Sequence, residues 1–147
     1  MADVMLIIHI LSAAAWVGGG FLNAFLGPRM AKEGGPVTVA WIRTLIDAAR
    51  KYFTTAGVLT LLSGIGIVMA DADHSFTEPF VMTGLLIVVI AMGIGGAILT
   101  PAARAALASA EDGDFAAAGA AGRKAARAGQ AMTLLLVVAV IVMVFEV

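Results

Sequence analysis

The sequence predicts an all-α membrane protein, an antiparallel four-helix transmembrane bundle with an interfacial amphipathic helix after the first span. Three observations predict this fold. Of the 147 residues, 61% are hydrophobic and only 13% are charged, whereas soluble domains carry about 25% charged residues. The apolar residues form four runs long enough to cross a bilayer, and Lys and Arg are confined to two of the connections between them.

The four predicted spans are residues 4–26, 52–70, 80–100 and 131–147, within a single domain of residues 1–147. Crossing the hydrocarbon core takes about 20 apolar residues in a helix. Because lipid offers no hydrogen bonds, the backbone groups of each span must be satisfied within the segment, which favours helices. The apolar part of the fourth run begins at Ala131, so we expect its helix to begin earlier.

The distribution of charge predicts the topology. All nine Lys and Arg residues lie in residues 28–51 and 101–130, whereas residues 71–79 contain three carboxylates and no cation. The positive-inside rule therefore places the first and third connections in the cytoplasm. Both termini and the 71–79 loop are then outside, in a multi-pass protein of the inner (plasma) membrane.

Two turns are predicted within the basic connections. Gly34, Gly35 and Pro36 mark the first, and residues 41–50 after it alternate apolar and charged positions at helical spacing. This pattern predicts the amphipathic helix, which lies at the membrane interface and runs into the second span. Residues 111–114, Glu-Asp-Gly-Asp, mark the second turn, so the third and fourth helices should form a hairpin.

Small residues predict how the helices pack. Helices in lipid approach each other through glycine and other small side chains. Glycines occur in the first three spans: Gly18, Gly19, Gly20, Gly57, Gly64, Gly66, Gly93, Gly95 and Gly96. We therefore expect the first three helices to pack closely, and the fourth to pack through Leu, Val and Met.

The first span carries a single polar stripe, in which steps of four, three, four and seven residues keep the side chains on one helix face. Its members are Met5, His9, Ser12, Trp16 and Asn23. His9 should therefore face the bundle interior, about two turns from the outer surface. It has two interpretations: a hydrogen bond to Ser, Thr or a backbone carbonyl of a neighbouring helix, or ligation of a metal or haem iron through a neutral ring nitrogen.

Further candidate ligands lie in the predicted outer half. Thioether and imidazole groups suit copper(I), and a His/Met pair also ligates haem iron. The candidate cofactor-binding residues are His9, Trp16, Met69, Met82 and Met143, and the candidate metal ligands are His9, Met5 and His74. Trp16 would form a wall of the pocket, and His74 is either a solvated loop residue or a ligand on a lid. No catalytic residue is predicted.

Two families resemble parts of this sequence. Residues 8–19, Ile-His-Ile-Leu-Ser-Ala-Ala-Ala-Trp-Val-Gly-Gly, followed by Pro28-Arg29, resemble the first helix of the CopD-like copper-resistance membrane proteins and their four-helix relatives. Residues 108–115, the basic helix after them and the last span with Met143 resemble the tail of that family. His9, Trp16 and Gly18-Gly19 also resemble the first helix of the HemJ-type protoporphyrinogen oxidases.

These resemblances imply cofactors. The HemJ-type similarity implies haem b ligated by His9, although the second ligand of that family is a lysine in the third span and residues 80–100 contain none. The CopD-like similarity implies copper handling at the inner membrane. Together with the predicted orientation, which places His9 in the outer half, they predict a small membrane protein that binds haem b or copper through His9.

Two other functions stay open on the sequence. The chain could be a structural or accessory subunit of a larger membrane complex or a homo-oligomer, since its glycine-rich faces suit such packing equally well. It could also be a copper permease. Ion-coupled transport is disfavoured because no Asp, Glu, Lys or Arg lies in the middle of a span. The net charge of −1 gives no sign of nucleic-acid binding, and the lipid bilayer is the expected partner.

Overall fold

The computed structural model describes residues 2–70 and 75–145 and shows four long helices joined by short connections. The helices are Ala2–Glu33, Gly35–Ala70, Pro79–Glu111 and Phe115–Phe145. Each is long and apolar enough to cross a membrane by length and composition, and the described residues contain no strand. The all-α fold with four candidate spans is therefore confirmed.

The helices alternate in direction, so each is antiparallel to its neighbours along the chain. The first helix packs most extensively on residues 54–70 of the second, and the fourth packs on both the first and the third. We call the end that carries all nine Lys and Arg residues the basic end, and the opposite end the terminal end. The buried core between them consists of Trp16, Ala56, Val88, Ala91, Met132 and Leu136.

The outside of the bundle is apolar. Large hydrophobic side chains are exposed along all four helices, with Leu11 65%, Leu62 59% and Val144 69% exposed. A water-soluble monomer rarely exposes contiguous apolar patches of such extent. On a bilayer-spanning bundle these side chains contact lipid tails, which are as apolar as leucine.

Both predicted turns in the basic connections are present. The first helix ends at Glu33, seven residues beyond the predicted span, and Gly34 and Gly35 follow with φ of 70° and 48°. Glycine occupies this left-handed region without the steric cost that a Cβ would impose. Pro36 then lies in the first turn of the second helix, where its missing N–H leaves no bond unmade.

The turn between the third and fourth helices is a Schellman motif followed by a side-chain cap. Gly113 has φ of 80° and donates to the carbonyl of Ala110, while the Asp114 N–H donates to the carbonyl of Ser109. The Asp114 carboxylate then accepts the N–H of Ala117 at 2.9 Å and caps the fourth helix. The predicted helical hairpin is therefore confirmed.

The second and third helices each contain one π-helical turn. The second consists of Gly35–Ala48, the π turn Ala49–Phe53 and Thr54–Ala70. The third consists of Pro79–Ile94, the π turn Gly95–Leu99 and Thr100–Glu111. Pro101 follows this second π turn, where the Thr100 hydroxyl donates to the Gly95 carbonyl at 2.8 Å.

The predicted amphipathic helix is the segment Gly35–Ala48, and it continues directly into the second span. It packs against Thr100–Glu111 of the third helix. Arg43 and Glu111 form an ion pair between these two segments at 2.7 Å. The segment therefore helps to hold the basic end of the bundle together.

The glycine prediction was correct for the first two helices and wrong for the third. A Cβ on Gly93 or Gly96 would meet nothing within 4 Å, because the third helix packs mainly on the fourth and makes few contacts with residues 54–70. Gly84, in contrast, lies under the side chain of Met143. The third and fourth helices thus meet through Met132 and Met143 in the apolar half, as expected for the fourth, and through buried alanines at the basic end.

Candidate functional site around His9

The polar stripe of the first helix faces the bundle, as its spacing predicts. Ser12 and Trp16 are the two buried residues of this helix, and Met5, His9 and Asn23 are half-buried. Residues on the opposite side of the same helix are exposed. The stripe is therefore the more buried side of this helix.

A face of small residues on the second helix receives this stripe. A Cβ on Gly57 would lie 2.9 Å from Trp16 Cη2, and one on Gly64 would lie 3.1 Å from His9 Cε1. A Cβ on Gly66 would lie 3.3 Å from the Sδ of Met5. The three glycines thus let the side chains of the first helix contact the backbone of the second helix.

Hydrogen bonding sets the tautomer of His9. Its Nδ1 lies 2.9 Å from the backbone carbonyl oxygen of Thr60 and 3.3 Å from Ser63 Oγ. Because a carbonyl oxygen can only accept, Nδ1 carries the hydrogen and donates it. A neutral imidazole then has its lone pair on Nε2.

Hydroxyl groups extend this contact into a polar cluster between the two helices. The Ser12 hydroxyl donates to the His9 carbonyl at 3.1 Å, and Thr60 Oγ1 donates to Ser12 Oγ at 2.9 Å. Thr60 Oγ1 also lies 2.8 Å from the carbonyl oxygen of Ala56. Hydrogen bonds between membrane helices contribute about 0.6 kcal/mol on average and up to about 1.7 kcal/mol, so the cluster stabilises the pairing of the first two helices.

The second ring nitrogen of His9, Nε2, lies on the side of the ring that does not contact the Thr60 carbonyl. Within the described residues Nε2 makes no hydrogen bond. It is also not fully buried, unlike the Nε1 of Trp16. Metal-ligating histidines typically donate the hydrogen of one ring nitrogen to a backbone carbonyl or carboxylate, which orients the ring and directs the other nitrogen to the metal. His9 has the first half of this arrangement.

Trp16 lies in the centre of the bundle, two turns from His9 along the first helix. It is 3% exposed and belongs to the buried core. Its Nε1 is the one fully buried side-chain nitrogen or oxygen that has no partner in the described part of the chain. A buried donor without a partner costs about 1–3 kcal/mol, so this N–H destabilises the core rather than supporting it.

The other predicted ligands are spread over the molecule. Met5 shares the second-helix face with His9, whereas Met69 and Met82 are 75% and 58% exposed. Met143 packs on Gly84 of the third helix. His74 lies outside the described residues, and within residues 2–70 and 75–145 no three His, Asp or Glu side chains cluster as metal ligands. The structure thus brings Met5, His9 and Trp16 to one face and leaves the other methionines apart.

The sequence predicted the kind of partner that His9 has, a backbone carbonyl and a hydroxyl group of a neighbouring helix, but not which residues supply them. Thr60 and Ser63 were not candidates, although they share one face of the second helix with Gly57 and Gly64. Small and hydroxyl residues at steps of three and four are a known sign of a packing face in membrane helices. Applied to the second span, that pattern predicts the surface on which the first helix packs.

Comparison with known proteins supports the membrane assignment. A family described as "Predicted integral membrane protein (DUF2269)" matches residues 3–145. No curated protein and no solved structure shows significant similarity to the chain. The comparison therefore supports an integral membrane family, and the finer CopD-like and HemJ-type resemblance stays a prediction.

Proposed function

Because the chain belongs to this family of predicted integral membrane proteins, we propose that it is a multi-pass membrane protein whose His9 ligates copper or the iron of haem b through Nε2. One observation carries the proposal: Nδ1 lies 2.9 Å from the Thr60 carbonyl oxygen and donates its hydrogen to it, which leaves the lone pair on Nε2. Haem or copper would supply one-electron chemistry once bound, and the chain would supply ligation and orientation.

The residues around His9 fit a soft or borderline metal. Met5 lies one helical turn from His9 and contacts the same face of the second helix, so a thioether accompanies the imidazole. Imidazole and thioether are ligands that copper(I) accepts. Met5 is therefore the second copper ligand that the geometry favours. For haem b, His9 would hold the iron through Nε2, and Trp16 would lie on the side of His9 toward the bundle interior.

Three neighbours of His9 would keep its ring in place. The Thr60 carbonyl fixes the ring through Nδ1, and Gly64 leaves room for the ring against the second helix. Ser63 Oγ lies 3.3 Å from the same nitrogen. Because the ring is already ordered before a cofactor binds, binding costs little side-chain conformational entropy.

Optical spectra and elemental analysis of the purified protein test this proposal. Wild-type protein should carry a haem absorption band or a stoichiometric amount of copper, and His9→Ala should carry neither. His9→Asn is the matched control, because its amide nitrogen is as many bonds from the backbone as Nδ1 and can still donate to Thr60. It should lose the cofactor but keep most of the stability that His9→Ala loses. Cofactor content unchanged in both variants would refute the proposal.

The positive-inside rule supports a topology in which both termini and this site face outward. The chain contains no cysteine, so single-cysteine variants can be labelled without a background. A membrane-impermeant maleimide should react in intact cells with Ser75→Cys, near the terminal end, and not with Asp112→Cys, in the basic turn. The reverse pattern would place His9 on the cytoplasmic side.

A second candidate function is that of a structural subunit in a larger membrane complex. The observation that favours it is the same polar cluster, interpreted as a helix-packing contact. Ser12, Thr60 and the Nδ1 of His9 already form hydrogen bonds that hold the first two helices together. A colourless, metal-free protein that co-purifies stoichiometrically with another membrane protein would support this alternative. In that case His9→Ala should weaken helix packing and the complex, and His9→Asn should preserve both.

A further inference from the structure

A cleft at the basic end lies between the third and fourth helices, away from His9. Its volume is about 430 Å³. One wall consists of Arg123, Lys124 and Arg127 of the fourth helix, and the other includes Ile94 and Ile98 of the third. The cleft is therefore basic on one side and apolar on the other.

The three cations of the cleft have no acidic partner among the described residues. The ion pair found within residues 2–70 and 75–145 joins Arg43 to Glu111, outside the cleft. Arg123 and Arg127 are one helical turn apart and so lie on the same helix face, with Lys124 beside them. All three are exposed. Three uncompensated cations around one concave surface favour the binding of an anion.

The position of the cleft along the helices points to a lipid. Arg127 is four residues before Ala131, where the uncharged part of the fourth helix begins, a distance of about 6 Å along the axis. Cations one turn outside an uncharged span lie at the level of the phospholipid headgroups. Ile94 and Ile98 continue the apolar wall on the third helix, so a molecule that spans both walls needs an anionic head and an apolar body.

We propose that this cleft binds the headgroup phosphate of an anionic phospholipid, with Arg123, Lys124 and Arg127 on the phosphate and the first acyl segments against Ile94 and Ile98. A free inorganic anion would use the cations alone and leave the apolar wall in contact with water or bulk lipid. The lipid uses both walls, and it enters from the membrane without crossing the aqueous phase. A bound lipid of this kind would join the third and fourth helices at the basic end.

Native mass spectrometry of the full-length protein in detergent tests this proposal. The protein is titrated with phosphatidylglycerol, and with phosphatidylcholine as the neutral comparison. One cation near an anionic headgroup contributes about 1 kcal/mol, or about fivefold in affinity. The first phosphatidylglycerol should therefore bind well ahead of phosphatidylcholine, and the cleft variant should lose roughly a hundredfold in that affinity. The cleft variant is Arg123→Gln, Lys124→Gln and Arg127→Gln combined.

A matched control removes the same charge from the same end without touching the cleft. The control variant is Arg29→Gln, Lys32→Gln and Arg50→Gln combined. It should keep the first phosphatidylglycerol site within about fivefold of wild type. Equal losses in the two triple variants would overturn the proposal, because the binding would then reflect the general charge of the basic end. Equal affinity of wild type for the two lipids would overturn it as well.

Two further measurements separate the lipid from a free anion and from misfolding. Inorganic phosphate at millimolar concentration should not displace the bound lipid, and displacement would assign the cleft to soluble anions instead. Ala120→Leu keeps all charges but fills part of the cleft, since Ala120 lies on its lining. This variant should also lose phosphatidylglycerol selectivity, and full retention would overturn the proposal even if the triple variant fails to fold.

Discussion

Replacing Gly57 by alanine tests how closely the first two helices approach. The added Cβ would lie 2.9, 3.1 and 3.3 Å from three carbon atoms of the Trp16 ring. Carbon atoms in contact are normally about 3.5–4.0 Å apart. Trp16 is 3% exposed and enclosed by the core, so the ring cannot simply rotate away. The helices must separate by roughly half an ångström or more.

The expected cost follows from two opposing terms. Overpacking a well-packed core costs about 1–3 kcal/mol, whereas Gly→Ala in a helix interior gains about 0.5–1 kcal/mol of backbone entropy and helix propensity. Gly93→Ala is the matched control, because a Cβ there meets nothing within 4 Å and the same gain applies. Gly57→Ala should therefore be about 1–3 kcal/mol less stable than Gly93→Ala.

Reversible unfolding in mixed detergent and dodecyl sulfate micelles, followed by circular dichroism, measures this difference. A double variant adds Trp16→Phe, whose smaller ring lacks the crowded atoms. It should remove most of the penalty of Gly57→Ala, which appears as a coupling free energy between the two positions. Equal stability of Gly57→Ala and Gly93→Ala, or no coupling to Trp16, would refute this packing.

Three smaller perturbations test other parts of the molecule. Thr60→Val removes a hydroxyl but keeps the carbonyl that holds His9, so it should cost about 0.6–1.7 kcal/mol in detergent unfolding and leave cofactor content unchanged. Asp114→Ala removes the cap on the N–H of Ala117 and should cost about 1 kcal/mol, with faster hydrogen exchange confined to the first turn of the fourth helix. Arg43→Gln breaks an exposed ion pair, so it should cost less than about 1 kcal/mol, and less still at high salt.

The spans and turns could be predicted from the sequence because the bilayer leaves few alternatives. Uncharged runs must form helices in lipid. Outside these runs, a glycine that adopts a positive φ can end the helix. Gly34 and Gly113 lie where the sequence predicted turns, and both have positive φ. The orientation of the stripe from Met5 to Asn23 was predictable too, because helical periodicity places its members on one face.

The sequence predicted the chemical type of the His9 partner, but not the residue or the helix that supplies it. Periodicity tells which face of the first helix is polar, but it does not tell which helix lies opposite. The acceptor is the backbone carbonyl of Thr60, and every residue has such a group, so no side-chain pattern identifies it as the partner of His9. The π turn at Gly95–Leu99 was not predicted either, because apolar spacing does not distinguish an α turn from a π turn.

The tautomer of His9 is the property on which the proposed ligand role depends most directly. Selective ¹⁵N labelling of histidine side chains in a His74→Gln variant leaves His9 as the one observed imidazole, since the chain has two histidines. In cofactor-free protein, NMR should detect a hydrogen on Nδ1 and none on Nε2, because Nδ1 donates to the Thr60 carbonyl. A hydrogen on Nε2 with a bare Nδ1 would contradict the hydrogen bond and remove the basis for ligation at this site.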